Sequence, residues 1–368
     1  ASFGPHATSS RAIFTLAFLL FIPTSLYWRR AFWFRASRGR SEGKFLVIVD
    51  SDLGPVFYRD YIKKQQHQSV QYLAADYSLL GRHVADEESP KISVEAVHLL
   101  PQLNTDNIAG YEAIILASRF SHLDGRVLKR LGEIHFEEMP VFLMSAFYES
   151  YWNKIPLELI GPAWPLEADF VLVQHSVFTT IKRLFDVLIA ATALILVSPL
   201  MIAVALAIML LEGRPVIYSQ PRTGQHRESF TLFKFRSMKV GSDKGDKYTR
   251  PGDSRVSRLG YFLRKTRLDE LPQLWNVVKG DMSMIGPRAE WVKLVHDYEQ
   301  QIPHYHYRHL VRPGITGWAQ VNYPYGASLE DAMQKFSYDL YYIRNFSIRL
   351  DAEVVLKTLH TMICGMGQ

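Results

Sequence analysis

Apolar and polar positions along this chain fall into three regimes, each predicting different elements. From Ala12 to Trp28 no side chain is charged, and Arg29, Arg30, Arg35, Arg38 and Arg40 follow closely. Cationic flanks mark the cytoplasmic face of a membrane segment. A secretory signal carries its charge ahead of the apolar stretch, so the order here predicts a transmembrane helix within residues 1–40, its C-terminal end cytoplasmic. The segment is short, contains Pro23 and follows a start at Ala1 rather than methionine, so further membrane helices upstream are expected.

Residues 41–175 alternate short apolar runs with amphipathic stretches. Phe45–Val49, Ala113–Ala117 and Val141–Met144 read as buried strands, with helical patterns around Val56–Gln66 and Arg126–Ile134. Strands alternating with helices predict a small parallel sheet. The turn after the first strand, Asp50-Ser-Asp-Leu-Gly-Pro55, lacks the Gly-x-Gly-x-x-Gly that a dinucleotide pyrophosphate needs. A structural or regulatory module is therefore expected. Pro156, Pro162 and Pro165 mark a linker leaving it.

The third regime opens with residues 184–211, in which no charge occurs from Val187 to Leu211. That length suffices to cross a bilayer. Lys182 and Arg183 precede the run and Arg214 follows it, so a simple crossing would put one basic end on the wrong face. Pro199 removes a backbone donor, and Ser198 can bond a freed carbonyl. Hydropathy alone leaves two possibilities, a kinked spanning helix and a re-entrant helix that breaks at Ser198-Pro199 and returns to the same face.

Chemistry-bearing residues follow the run. Leu232–Met238 alternates like a strand and puts Lys234 and Arg236 on one face, a plausible phosphate clamp. Arg255, Arg258, Arg264, Lys265 and Arg267 fall in a stretch with no acid, which ends at Asp269-Glu270. Leu271, Leu274 and Val278 have helical spacing, and Pro272 suits a first turn. Both carboxylates would then sit at a helix N-terminus, where acids often serve only as caps. Surrounding cations favour a reactive role, because a carboxylate attacking an anionic phosphate needs positive charge nearby. Gly286-Pro-Arg288 and Arg312-Pro-Gly-Ile-Thr-Gly-Trp-Ala-Gln-Val-Asn322 add turn-rich segments that each present an arginine. His304, His306 and His309, interleaved with Tyr305 and Tyr307, read as a membrane-interface belt rather than a metal site. Asp351–Ile363, with Val355, Leu359 and Met362 on one side, has a pattern shared by an interfacial helix and a core-packing one.

Composition narrows the partners. The net charge of +6 suits an anionic membrane surface, a nucleotide or nucleic acid. The basic and aromatic residues are not interleaved as in nucleic-acid modules, so no nucleic acid is expected. A single cysteine, Cys364, excludes an internal disulfide framework.

Taken in order, these motifs resemble those of the bacterial sugar transferases, the monotopic phosphoglycosyl transferases that begin exopolysaccharide and O-antigen assembly. The resemblance covers roughly residues 178 to 368. It rests on the basic-flanked run with Ser198-Pro199, Lys234-Phe-Arg236, Leu268-Asp-Glu-Leu-Pro272, Gly280-Asp-Met-Ser, Gly286-Pro-Arg288 and Pro313-Gly-Ile-Thr-Gly-Trp-Ala-Gln320. It implies a membrane-associated α/β protein in three parts. These are a transmembrane helix with basic flank at 1–40, a Rossmann-like α/β module at 41–175, and a mixed α/β catalytic domain at 176–368. The last would include the re-entrant helix 184–211 and interfacial amphipathic helices. The implied activity moves a sugar-1-phosphate from a UDP-sugar to polyprenyl phosphate at the cytoplasmic face of the bacterial inner membrane, with Mg²⁺. Asp269 would attack the β-phosphorus and release UMP. Glu270 would complete the catalytic pair, hold Mg²⁺ with Asp269 or position the acceptor. Lys234, Arg236, Arg264, Arg288, Arg312 and Gln320 are the implied substrate contacts, and a homodimer is among the expected states. A glycosyltransferase moving only the sugar and a non-catalytic basic scaffold are the competing functions. Two departures from the family pattern stand out. Ala289 replaces the usual proline after Gly-Pro-Arg, and Tyr323-Pro-Tyr-Gly326 replaces a Gly-Arg pair in a region tied to sugar choice.

Overall fold

The computed structural model describes residues 44–63, 70–75, 82–84, 103–161 except 120 and 122, Trp164, 177–242, 253–324, Gly326 and 328–363. The expected transmembrane helix at 1–40 lies outside the described residues. The chain forms two compact units that divide between Phe147 and Tyr148.

The first unit is built on four parallel strands: β1 (Lys44–Val49), β2 (Val70–Ala74), β3 (Tyr111–Ala117) and β4 (Val141–Leu143), in the order β2-β1-β3-β4. Val47, Ile48, Ile114 and Ile115 are fully buried, as expected where helices cover both faces of a parallel sheet. Helices α1 (Leu53–Lys63) and α2 (Gly125–Glu137) connect the strands, and α2 turns Val127, Leu131 and Ile134 inward. At the C-terminal end of β1, where open α/β sheets receive their ligands, the chain supplies its own anion. Asp50 Oδ1 accepts from the Asp52 and Leu53 amides, at 3.1 and 2.7 Å, and Oδ2 from the Arg119 amide at 2.8 Å. Backbone donors of the kind that could cradle a phosphate are thus committed to an internal carboxylate.

In the second unit the longest element is α3 (Val177–Glu212), 36 residues with Pro199 inside. Ser198 Oγ donates to the Ile195 carbonyl at 2.8 Å, the back-bond that bends helices. Most of the outward positions of α3 are bare and apolar: Leu188, Ile195, Leu196, Ile202, Leu210 and Leu211 are all exposed. One side of each half nevertheless packs on the same folded body. Ala190, Ala193, Leu194 and Val197 lie against Leu232, Leu274, Val277 and Met282. Met201, Val204, Ala205 and Ile208 lie against Phe235 and Leu263.

That body holds an antiparallel hairpin, β5 (Ile217–Thr223) with β6 (Ser229–Phe235), followed by α4 (Arg258–Lys265) and α5 (Gln273–Lys279). A two-stranded parallel pair comes next, β7 (Ser283–Ile285) with β8 (Gly314–Thr316), and α6 (Val292–Gln301) lies between them. Helices α7 (Trp318–Asn322), α8 (Leu329–Arg344) and α9 (Ile348–Ile363) complete the unit. Ser328 and Asp331 form a capping box at the start of α8. Its residues Phe336, Leu340, Tyr342 and Ile343 are essentially inaccessible.

The proline-marked stretch near 156–165 was expected to be a linker. Instead, Trp152, Ile155 and Trp164 are buried, and Ile155 and Trp164 pack with Tyr298, Tyr305 and Phe336. Asn153 bridges two helices, its carbonyl accepting from Trp318 Nε1 at 2.9 Å and its Oδ1 from Tyr341 OH at 3.0 Å. Lys154 Nζ, also buried, donates to Gln334 Oε1 at 3.0 Å. Ile155 and Trp164 thus tie this strap to the second unit, because large apolar side chains find a core to enter.

The histidine segment also differs from expectation. In place of the expected membrane-interface belt, Tyr305–Leu310 is a 3-10 helix in which Tyr305, Arg308 and His309 are buried. Arg308 is ion-paired with Asp339 Oδ2 at 2.8 Å, which compensates the charge that the segment carries into the interior.

Candidate active site

The acid pair sits on the turn joining α4 to α5. Ser257 caps α4 by accepting from the Gly260 amide. A Cβ at Gly260 would lie 2.0 Å from the Ser237 carbonyl oxygen, so only glycine lets α4 pack this closely on the chain leaving β6. That approach brings Arg264 Nε to Ser237 Oγ at 3.0 Å. Arg267 then takes a left-handed conformation, φ 60°, and the chain enters the 3-10 turn Leu268–Glu270. Helix α5 starts only at Gln273, after Pro272. Neither carboxylate caps it, so the capping role open on spacing alone does not apply.

The two acids face different fates. Glu270 Oε1 accepts from Lys234 Nζ at 2.8 Å, with both side chains largely buried. Burial by itself would raise the Glu270 carboxyl, but Lys234, Arg288 and Arg267 outweigh it and hold the pKa at about 2. Asp269 is only 6% exposed, yet its carboxylate accepts no hydrogen bond and makes no ion pair among the described residues. Burial, and then the Glu270 charge, raise its pKa; Lys234, Arg264 and Arg267 offset part of that rise. One acid is locked as a permanent anion and its neighbour keeps unengaged, more basic lone pairs. Such divergence within a pair separates chemical roles.

Of the residues singled out in the sequence, Lys234, Arg264 and Arg288 converge on this pair. Arg236 does not. Strand β6 ends at Phe235, and the Arg236 side chain instead donates to the carbonyls of Glu212 and Gly213, both at 2.8 Å. It closes the C-terminal end of α3, where unpaired carbonyls attract a cation. Gln320 Nε2 donates to the Ile315 carbonyl at 3.1 Å, and its Oε1 is buried without a partner. Arg312 belongs to a separate cavity at the start of α3. Its segment is held by close backbone crossing, since a Cβ at Gly286 would lie 2.3 Å from the Arg312 carbonyl oxygen.

Two further groups escape a reading by motif. Arg267 acts on both acids, and its place two residues before Asp269 was the available signal. Glu290, whose carboxyl is lowered against burial by Arg308, Arg288, Arg222 and Lys335, shares Arg288 with the acid pair. Arg288 is two residues away in the chain, but only tertiary structure brings Arg222, Arg308 and Lys335.

Among the described residues, no group of three or more His, Cys, Asp or Glu is placed to hold a metal. Asp269 and Glu270 alone supply two carboxylates. That donor set fits Mg²⁺, which commonly takes one or two carboxylates and completes its shell with substrate phosphates and water.

Residues 177–365 match the bacterial sugar transferase family, just over half of the chain. The UDP-N-acetylgalactosamine-undecaprenyl-phosphate N-acetylgalactosaminephosphotransferase of Aeromonas hydrophila is 39% identical over 258 residues, 70% of this chain and 60% of that protein. The UDP-glucose:undecaprenyl-phosphate glucose-1-phosphate transferase of Escherichia coli (strain K12) is 43% identical over 182 residues, 49% of this chain and 39% of that protein. Exopolysaccharide production protein PSS of Rhizobium leguminosarum bv. phaseoli is 38% identical over 186 residues, 49% of this chain but 93% of that protein. This chain therefore spans less than two thirds of each of the first two relatives and nearly all of the third. With its match running from the start of α3 to the end of α9, the chain belongs to the bacterial sugar transferase family.

Proposed function

We propose that this protein transfers a sugar-1-phosphate from a UDP-sugar to polyprenyl phosphate at the cytoplasmic face of the inner membrane, releasing UMP. The observation that carries the reading is the Asp269 carboxylate, unengaged by protein donors beside Lys234, Arg264 and Arg267. The names of the Aeromonas and Escherichia relatives describe the same class of transfer onto undecaprenyl phosphate.

In the first step an Asp269 oxygen attacks the β-phosphorus of the donor. The bond from that phosphorus to the bridging oxygen breaks, UMP departs, and an aspartyl phosphosugar remains. In the second step a phosphate oxygen of the acceptor attacks the same phosphorus. The aspartyl oxygen leaves, which gives the polyprenyl diphosphate sugar and restores the carboxylate. Lys234, Arg264, Arg267 and Arg288 offset the charge that accumulates when anions meet. Glu270 keeps Lys234 and Arg288 oriented toward the pair. Mg²⁺ bound by Asp269, Glu270 and phosphate oxygens would supply further charge neutralisation.

Helix α3 is read as re-entrant. Its length, about 54 Å at 1.5 Å per residue, far exceeds the hydrocarbon core of about 30 Å. Packing of both halves on one folded body supports the reading, as do the Ser198 back-bond and the cationic residues at each end. Exposed Ile348, Val355, Leu356, Leu359 and Met362 on α9 and Tyr261, Phe262 and Trp275 on α4 and α5 supply apolar surface suited to the bilayer interface.

The deciding experiment incubates the protein with UDP-sugar and Mg²⁺ but no acceptor. A mass increase of one phosphosugar, mapped to Asp269, is the expected result. Release of UDP in place of UMP would mean that only the sugar moves.

A further inference from the structure

A second polar site lies apart from the acid pair, at the foot of the membrane helix. Thr179, Lys182, Arg183 and Asp186 recur at three- and four-residue spacing and so share one face of α3. They line a cavity of about 380 Å³ together with His226, Ser283, Arg312 and Phe346, and it contains none of Lys234, Arg264, Arg288, Asp269 or Glu270. On the opposite side of the same helical turns, Ile181, Leu184, Phe185 and Leu188 are exposed. A polar cavity thus opens where an apolar membrane element begins, the level at which lipid phosphates lie.

Its charged groups are nearly all accounted for within the protein. Lys182 Nζ is paired with Asp351 at 2.6 Å. Arg183 donates to the carbonyls of Val277 and Val278 at 2.6 and 3.0 Å. Asp186 accepts from Ser283 Oγ at 2.7 Å and from the Met284 amide at 3.1 Å. Arg312 is the exception. Its guanidinium makes no hydrogen bond or ion pair among the described residues, and it repels the neighbouring Arg183. Asp186, in the same lining, offsets part of that repulsion on Arg183 but makes no ion pair with Arg312. A guanidinium fork with free donors matches phosphate geometry.

We propose that this cavity binds the phosphate of a membrane lipid, with Arg312 as its principal contact. Phosphate of this kind comes from two sources, the polyprenyl phosphate acceptor and the diester headgroup of an anionic glycerophospholipid. The proposal rests on α3 lying in the membrane but not on Asp269 as nucleophile.

Titrations of the full chain in detergent, followed by tryptophan fluorescence, test it with three probes: farnesyl phosphate, dihexanoyl phosphatidylglycerol and UMP. Arg312→Ala should weaken at least one lipid phosphate tenfold or more and leave UMP binding within twofold. Loss confined to farnesyl phosphate assigns the cavity to the acceptor; parallel loss of phosphatidylglycerol assigns it to lipid headgroups in general. Thr179→Val, on the same wall, should weaken the same ligand, which guards against a folding defect peculiar to Arg312→Ala. Unchanged lipid binding in both variants, or weakening of UMP instead, overturns the proposal. Flotation of the wild type with liposomes checks the membrane reading separately, so its failure is distinguishable from failure of the site.

Discussion

Asp269 and Glu270 are chemically similar side chains in adjacent positions, and the difference between them is made by their neighbours. Glu270 is satisfied by Lys234, and Asp269 is buried without a donor. Asp269→Asn should abolish turnover, because an amide is a poor nucleophile, and no adduct should form on incubation with the donor. Glu270→Gln should lower kcat by a factor on the order of 10² or more, since Lys234 loses its counter-charge. A pH dependence follows from the same geometry. Asp269 reacts as the carboxylate and its pKa is raised above 3.8, so kcat should fall on the acid side at a pH above the ordinary aspartate range. For stability the sign is reversed. A raised folded-state pKa contributes stability below the unfolded pKa and loses it as pH rises through the folded one. The Asp269→Asn protein should therefore melt no lower than wild type at neutral pH; a clearly lower melting temperature would contradict the burial argument. Of the sequence candidates, Lys234 could be foreseen from the alternating strand, Arg264 from the cations ahead of the acid pair and Arg288 from the Gly-Pro-Arg turn after it. Arg236 was misleading because strand alternation predicts a shared face only while the strand lasts, and β6 ends one residue earlier.

At the scale of elements, α3 carries the strongest sequence signal in the chain and still left its topology open. Hydropathy reports length and apolarity, whereas direction of return depends on what each half packs against. Ala190 and Val197 on one half and Val204 and Ile208 on the other find partners in the same body. Labelling of single cysteines placed near Lys182 and Arg214 should report the same sidedness. Replacing Ser198 and Pro199 by leucine restores an unbroken helix and should shift the label at one end to the opposite face. Retention of same-side labelling in that variant would mean that packing, not the Ser-Pro break, enforces the return. Strand β5 was missed because Pro221 and Arg222 interrupt its apolar pattern. The hairpin forms around Gly224, with Pro221 paired opposite Thr231.

For the whole molecule, the consequential difference lies in where the second unit begins. A cut at the family boundary near residue 177 would discard Ile155 and Trp164 from a core that also holds Tyr305 and Phe336. Removing a buried tryptophan side chain costs about 3–5 kcal/mol. A chain starting at Gln174 should therefore melt well below one starting at Tyr148, and limited proteolysis should cleave it faster. Equal melting temperatures would show that the strap is dispensable. The first unit has its own core and an Asp50 carboxylate bound to the amides at the end of its central strand, so deleting it should leave the acid pair intact.

Local order in the sequence was enough to determine the membrane-helix candidate, the parallel sheet of the first unit, the Asp269-Glu270 pair and its cationic escort. Each is encoded by spacing within a few residues: an uncharged run, alternating strands and helices, five cations ahead of two acids. Tertiary structure alone decided which acid is held and which is free, because Lys234 is 36 positions from Glu270. It also sent Arg236 to a helix end, placed Arg312 in a cavity with Arg183, and drew Ile155 and Trp164 into a core. In every one of these cases the deciding energy is burial or charge pairing between residues far apart in the chain. No local pattern records which partner a side chain will meet.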